Sequence, residues 1–484
     1  MEDDFACMPP PSHCPPPIHH QKIMTTPIIN FVNEYCSAAP PPVRLHMPGH
    51  KGIPLVGCEM RDITEIDGAD ELYHARGIIK ESEDNAAALF GTYRTFYSCE
   101  GSSLCIRAML HLALLDAKAA GRSPTVLAAR NAHKVFLSAA ALLDFPIVWL
   151  YPPDDDTHGV VSCRITPAQL ETALSRLDTP PAAVYVTSPD YLGQLCDTSG
   201  LAAVCHRHNT VLLCDNAHGA YTHFLAHARH SMPRHPMDLG ADLCCDSAHK
   251  TLPALTGAAY LHISRTASAR AFFAEHAERA LSLFASTSPS YLILQSLDAV
   301  NAYLADGYRE KLAACVSAVR ETREALLSAG YTLIGEEPLK LTIAPKTRGY
   351  MGTSLAEVLY DAGIVPEFYD PDYLVLMLTP ENVLSDQNPL TYTADVLCAL
   401  PKESPIRIHP PRPPRCRTVC TPREAMLSPA VTLPVRECVG RVLASPGVGC
   451  PPAVPVVLCG EEIDAQAVEA FRYYGVETCM VVSG

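Results

Sequence analysis

No apolar run in this sequence approaches the roughly 20 residues that a membrane-spanning helix needs. A secretory leader is missing as well: Asp3 and Asp4 stand where such a leader is basic, and prolines stand where it is apolar. Positive charge is scarce, with 37 Lys and Arg against 52 Asp and Glu and a net charge of −15. That balance argues against a general nucleic-acid role, which needs a basic face, and favours long-range attraction of cationic ligands. The 20 cysteines include no C-x-x-C pair, and many lie inside apolar runs, as Cys105 and Cys244-Cys245 do. Reduced, buried thiols in a cytoplasmic protein are the expectation. No internal repeat is visible.

What is present suits a large globular enzyme. The 484 residues are 48% hydrophobic and 18% charged, enough for a sizeable core and for more than one domain. Residues 1–22 are rich in Pro, His and Cys and read as a disordered tail. Its His13, Cys14, His19 and His20 have no regular ligand spacing, so no metal is expected there. A major domain over 23–305 and a small α/β domain over 306–404 follow. The proline-rich stretch 405–414 reads as a linker, and 415–484 as a C-terminal domain. Apolar runs Thr125–Ala129, Ile147–Tyr151, Ala182–Thr187 and Thr210–Cys214 predict buried strands, and Leu104–Ala120 and Leu201–His208 predict helices. This alternation implies an α/β fold with a mainly parallel sheet, in which ligands sit beyond the carboxyl ends of the strands.

Four motifs fall at such ends. In Asp246-Ser247-Ala248-His249-Lys250-Thr251, a lysine among hydroxyl and imidazole groups follows a strand. A surface loop has the same composition in many proteins. Pyridoxal phosphate (PLP) chemistry also needs such an amine for the cofactor aldehyde and a hydroxyl near the phosphate. The run Val211–Cys214 ends in Asp215, followed by Asn216-Ala217-His218-Gly219. A carboxylate there can be structural, or can hold a protonated pyridine nitrogen. Glu100-Gly101-Ser102-Ser103-Leu104 enters a helix, where small hydroxyl residues cap free N–H groups or bind phosphate. Arg130-Asn131-Ala132-His133-Lys134 places a histidine at the same edge.

Together with His46-Met47-Pro48-Gly49-His50-Lys51-Gly52, these motifs resemble the Orn/Lys/Arg decarboxylases, PLP enzymes of fold type I. The resemblance runs on through Asp62–Glu65, Gly68–Leu72, Ser286–Tyr291, Thr421–Ala425, Cys450–Pro455 and Gly460-Glu461, and is closest to the family's short form. It implies a transferase-like major domain with a mainly parallel seven-stranded sheet. It makes Lys250 the Schiff-base lysine and Asp215 the partner of the pyridine nitrogen. His133 and Ala217 are implied on the two faces of the ring, and His218 at its phenolic oxygen. Ser102, Ser103 and Ser247 are implied at the phosphate, with Thr287 reaching the phosphate of a neighbouring subunit in a homodimer. Glu461 is implied at the far end of a basic amino-acid substrate, and His249 or Lys250 as the proton donor to its α-carbon. The expected reaction is decarboxylation of arginine, lysine or ornithine, with arginine favoured, feeding polyamine synthesis. The competing readings are another fold type I reaction, such as transamination or elimination, and a non-catalytic regulatory relative. The sequence departs from the family pattern at Cys105, Ile106 and Ala248, where Gly, Asn and a hydroxyl residue are usual.

Overall fold

The structure is a computed structural model that describes residues 24–225, 232–386, 389–445, 449–450 and 454–483. The 1–22 tail, with His13, Cys14, His19 and His20, lies outside the described residues, as does the Pro451–Ala453 part of the Cys450–Pro455 motif.

Seven short apolar strands form the central sheet: β1 (Arg94–Ser98), β2 (Val126–Ala129), β3 (Ile147–Leu150), β4 (Ala183–Thr187), β5 (Val211–Asp215), β6 (Leu243–Asp246) and β7 (Ala259–Ile263). Their order is β1-β7-β6-β5-β4-β2-β3. Only β7 runs against its neighbours, between β1 and β6. The strands expected from the apolar runs therefore appear within a residue of their expected ends.

Alternation along each strand sends side chains to opposite faces. On β5, Val211 and Leu213 enter the main core, while Leu212 and Cys214 enter a second core beneath Leu170 and Leu201. Cys245 and Cys244 divide in the same way, which explains why adjacent cysteines can both be buried. All described cysteines are free thiols.

Helices α1 (Pro27–Ser37), α2 (Ile78–Leu89), α3 (Gly101–Ala119) and α4 (Lys134–Leu143) occupy the first part of the chain. Of these, α3 crosses β5, β6 and β7 with Leu104, Cys105, Ile106 and Ala108 buried beneath it. The expected helix from Leu201 begins earlier, at Thr198, because Asp197 caps it by accepting from Gly200 N at 2.9 Å.

After the long helix Tyr308–Ser328, four antiparallel strands form a smaller sheet: β8 (Thr332–Ile334), β9 (Lys340–Ala344), β10 (Phe368–Tyr369) and β11 (Leu374–Met377). Residues 405–414 carry no regular structure. The C-terminal segment shares one core with other parts of the chain: Val456, Phe471 and Val481 pack with Val160, Leu192 and Phe368. Among the described residues no helix is long and apolar enough to cross a membrane.

Candidate active site

The carboxyl ends of β1, β2, β5 and β6 converge, and each delivers one of the four motifs. After β1 the chain turns through Gly101, at φ +69°, whose N–H donates to Gly257 O at 2.7 Å. Gly257 itself has φ +98°, and a Cβ there would lie 2.8 Å from Cys99 O, so both loops depend on glycine. No side chain caps the start of α3. Its first N–H groups and dipole therefore face the Ser102 hydroxyl, to which Ser247 Oγ donates at 2.7 Å. Ser103 lies on the same first turn. Ser102 and Ser247 thus come from two loops and meet at the start of α3, a cradle of the kind that can receive an anion. The unusual Cys105, Ile106 and Ala248 are all buried in the main core. They alter packing behind the cradle.

Asp215, the last residue of β5, is 3% exposed. Its Oδ2 accepts from Tyr185 OH at 2.9 Å and its Oδ1 from Ala217 N at 3.2 Å. Oδ1 also accepts from Cys245 Sγ at 3.6 Å, so Oδ2 is the oxygen that keeps a second lone pair for a further donor. Lys250, on the short helix after β6, has its Nζ 3.2 Å from His218 Nε2. Burial lowers the Lys250 amine below the usual lysine range, and the Asp215 carboxylate opposes part of that shift. Burial, then the Lys250 cation, push His218 well below the usual imidazole range. His218 Nδ1 is buried and finds no partner among the described residues.

His133 caps α4 by accepting from Val135 N at 3.2 Å through Nδ1. Burial lowers its pKa, with the Asp215 charge opposing that shift and the Lys250 charge reinforcing it. His249 Nδ1 lies 3.0 Å from Ala258 O. A carbonyl only accepts, so Nδ1 is the donor in this pair.

Two expected site residues lie apart from this group. Thr287 is exposed on the loop before Tyr291, and Glu100 Oε1 ties that loop by accepting from Ser286 N at 2.6 Å. Glu461 is 3% exposed, bridges to Thr418 through its backbone, and accepts from Leu458 N at 2.9 Å. Burial raises its pKa and the Arg130 guanidinium pulls it back. Arg130, itself buried, donates to Pro455 O at 2.9 Å and Val456 O at 2.8 Å. The Arg130–Lys134 motif therefore clamps the C-terminal segment, and Glu461 with it, to the end of β2.

Several supporting residues carried no sequence signal. Asp246 Oδ2 lies 2.9 Å from His235 Nε2 and 3.2 Å from His262 Nε2, and Oδ1 accepts from Asn216 Nδ2 at 2.7 Å. These fully buried partners hold the Asp246 carboxyl far below its ordinary range, despite burial. His235 Nδ1 accepts from Met237 N at 3.3 Å, so its Nε2 carries the proton toward Asp246. Asp246 thus ties the start of the lysine loop to the residue after Asp215. Tyr185, in the middle of an apolar run, is the one polar tip that could have been noticed.

Comparison with known proteins gives a consistent picture. The profile of the Orn/Lys/Arg decarboxylase major domain matches residues 57–335. The arginine decarboxylase of Bacillus subtilis is 27% identical over 466 residues, covering 90% of this chain and 91% of that protein. The arginine decarboxylase of Halalkalibacterium halodurans is 28% identical over 87% of this chain and 88% of its own. The lysine decarboxylase LdcA of Pseudomonas aeruginosa is 25% identical over 240 residues, 47% of this chain and 31% of that one. Among solved structures, the constitutive lysine decarboxylase of E. coli superposes with a TM-score of 0.71 at 18% identity, over 95% of this chain and 81% of that one. A NifS-like protein superposes at 0.51 and 13% identity, over 69% of this chain and 91% of its own. At these identities the two structures share the fold alone.

Proposed function

Since the chain belongs to the Orn/Lys/Arg decarboxylase family, we propose that it is a PLP enzyme converting arginine to its amine and CO2, with Lys250 as the covalent anchor. The observation that carries this reading is the convergence of the Lys250 amine, the Asp215 carboxylate and the serine cradle on one sheet edge. The choice of arginine rests on relatives of that name aligning over about nine-tenths of the chain. Lysine and ornithine are the alternatives within the family.

The residues fit the cofactor. An uncapped helix N-terminus beside the paired Ser102 and Ser247 hydroxyls suits a phosphate, and a buried carboxylate with a lone pair to spare on Oδ2 suits a pyridinium. The partnerless His218 Nδ1 awaits a polar group. Bound here, PLP supplies an aldehyde for the substrate amine and a ring that draws in the electron pair left when the α-carboxylate departs.

The rest is the work of the chain. Lys250, with its pKa lowered, gives up a proton more readily than an exposed lysine and so becomes nucleophilic. Asp215 is held by Tyr185 and Ala217, so its carboxylate is oriented in advance for the pyridine nitrogen to which it is assigned. His133, at the start of α4, and Ala217, just after β5, are assigned to the two faces of the ring. His249 Nε2, or the Lys250 amine, returns the proton to the α-carbon. Glu461, carried to the end of β2 by Arg130, completes the assigned site. Thr287, exposed in one chain, is assigned to the phosphate of a second copy in a homodimer.

The test is CO2 release by the PLP-loaded protein from arginine, lysine and ornithine in parallel. The expected result is the highest kcat/KM with arginine, and release from none of the three overturns the proposal.

A further inference from the structure

The loop after β4 and the segment that enters β9 meet too closely for a side chain at the contact. Gly335 has φ +80°, and a Cβ there would lie 2.3 Å from Leu192 O. Gly193 has φ +78°, and its Cβ would lie 3.2 Å from Glu337 Cβ and 3.3 Å from Lys340 Cδ. Gly193 O accepts from Glu336 N at 2.8 Å and from Glu337 N at 3.0 Å, and Leu192 O accepts from Thr342 Oγ1 at 2.9 Å. Inside this contact lies an ion pair. Lys340 Nζ stands 3.5 Å from Glu337 Oε2, and each side chain is 2% exposed.

The pair reaches both loops that flank His218. Lys340 Nζ donates to Asp190 O and to Tyr191 O, each at 3.4 Å, and lies 5.6 Å from the centre of the Tyr191 ring. That ring meets His218 edge-on, with centroids 5.0 Å apart and planes at 77°. On the other side, Glu337 Oε1 accepts from the hydroxyl of Tyr221, which follows His218 by three residues, and from Leu339 N at 3.2 Å. His218 Nε2 is in turn 3.2 Å from Lys250 Nζ. Burial is the main cause of the lowered pKa of both Lys250 and His218, and the Lys340 charge adds to each shift. In a buried ion pair, desolvation offsets most of the attraction, so apolar side chains of the same volume hold two segments as well or better. What the pair adds is direction, because each charged end takes its partners at set distances and angles.

We propose that Glu337 and Lys340 are positioning residues, which fasten the Tyr191 and Tyr221 loops to the smaller sheet and so fix where the His218 ring stands against the Lys250 amine. The assignment rests on the functional reading above. The two residues act through Tyr191, Tyr221 and His218, and the smaller sheet thereby becomes part of the frame of the site.

The PLP-loaded protein is compared with Lys340→Met, Glu337→Gln and the double variant. Visible circular dichroism of the bound cofactor, kcat and KM for the best substrate, cofactor content and thermal unfolding are measured on the same samples. Lys340→Met should lower kcat per bound cofactor by about tenfold or more, change KM by less than about threefold, and alter the visible dichroic band, which reads the asymmetry of the cofactor's surroundings. Glu337→Gln keeps an acceptor for Tyr221 and should lose less, about threefold in kcat. The double variant should be no worse than Lys340→Met alone, because the pair acts as one unit. A pair that only stabilises the fold would lower the unfolding temperature and cofactor content while the band and kcat per bound cofactor stayed as they were, and that result overturns the proposal. A double variant whose loss is the product of the single losses overturns it as well. If Lys340→Met does not fold, Glu337→Gln decides alone by the same criteria. Release of CO2 from none of the three amino acids by the unaltered protein defeats the functional reading instead, and the dichroic band then still reads the positioning.

Discussion

At the carboxyl edge of β5 and β6, Asp215, Asn216, His218, Asp246 and Ser247 are at most 5% exposed. Between Val43 and Met60, by contrast, seven apolar side chains stand in solvent, with Leu45 and Val56 at 89% and 87% exposure. Both regions contain the sequence's strongest motifs, and they invert the usual rule of burial in opposite senses. The first is explained inside one chain. Apart from His218 Nδ1 and Asn216 Oδ1, its buried side-chain polar atoms have partners on neighbouring segments, and a buried polar group that is bonded costs little. The second is not. Its backbone is well tied, with Arg44 donating to Glu59 O at 3.3 Å and Met60 O at 2.6 Å, and Glu59 accepting from Leu55 N at 2.7 Å. The segment is thus ordered while its apolar side chains are uncovered, the condition of a surface that meets another protein surface. A second copy of this chain is the occupant in keeping with the proposed homodimer. On the proposed reading, one region is finished by folding and the other by association.

The sharpest way to break this contrast is at its buried side. Lys250→Ala removes the amine assigned as the anchor, so turnover should fall by several orders of magnitude while the fold survives. Borohydride reduction followed by dialysis checks it: cofactor still retained covalently by the variant would mean that another lysine is the anchor. Asp215→Asn keeps the shape and the bond from Tyr185 but removes the charge, and should lower kcat by about tenfold or more, or about 1.4 kcal/mol. Steady-state kinetics at full cofactor loading reads this, and a smaller loss counts against the electron-sink role.

The exposed side predicts a subtler effect. Replacing Leu55 and Val56 together with serine removes two apolar side chains, each worth about 1.5–3 kcal/mol if covered. The dissociation constant of the dimer should then rise by about a hundredfold or more, and specific activity should fall on dilution. Sedimentation run beside activity measures both. An unchanged dimer, or a monomer with full activity, would remove the segment from the interface and Thr287 from a shared site.

What the sequence determined by itself was local. Apolar runs end where strands end, because buried parallel strands need continuous hydrophobic residues, so Thr187, Asp215 and the Asp246–Lys250 loop could be placed at one sheet edge before any coordinates. Helix starts were less legible, since the helix expected from Leu201 begins three residues earlier, at Thr198 after its Asp197 cap, and the family resemblance supplied roles for residues whose spacing alone left them ambiguous. Tertiary structure decided the rest, because a hydrogen bond answers to distance in space and carries no trace in chain order. Tyr185 meets Asp215 from the neighbouring strand, and His235 and His262 close on Asp246 from either side. Arg130, read only as part of a histidine motif, grips carbonyls of the C-terminal segment more than three hundred residues away. Glu461 and Glu367 are both acids on the C-terminal side of Lys250 in sequence. Only packing buries the first beside Arg130 and stands the second in the open beside Tyr191.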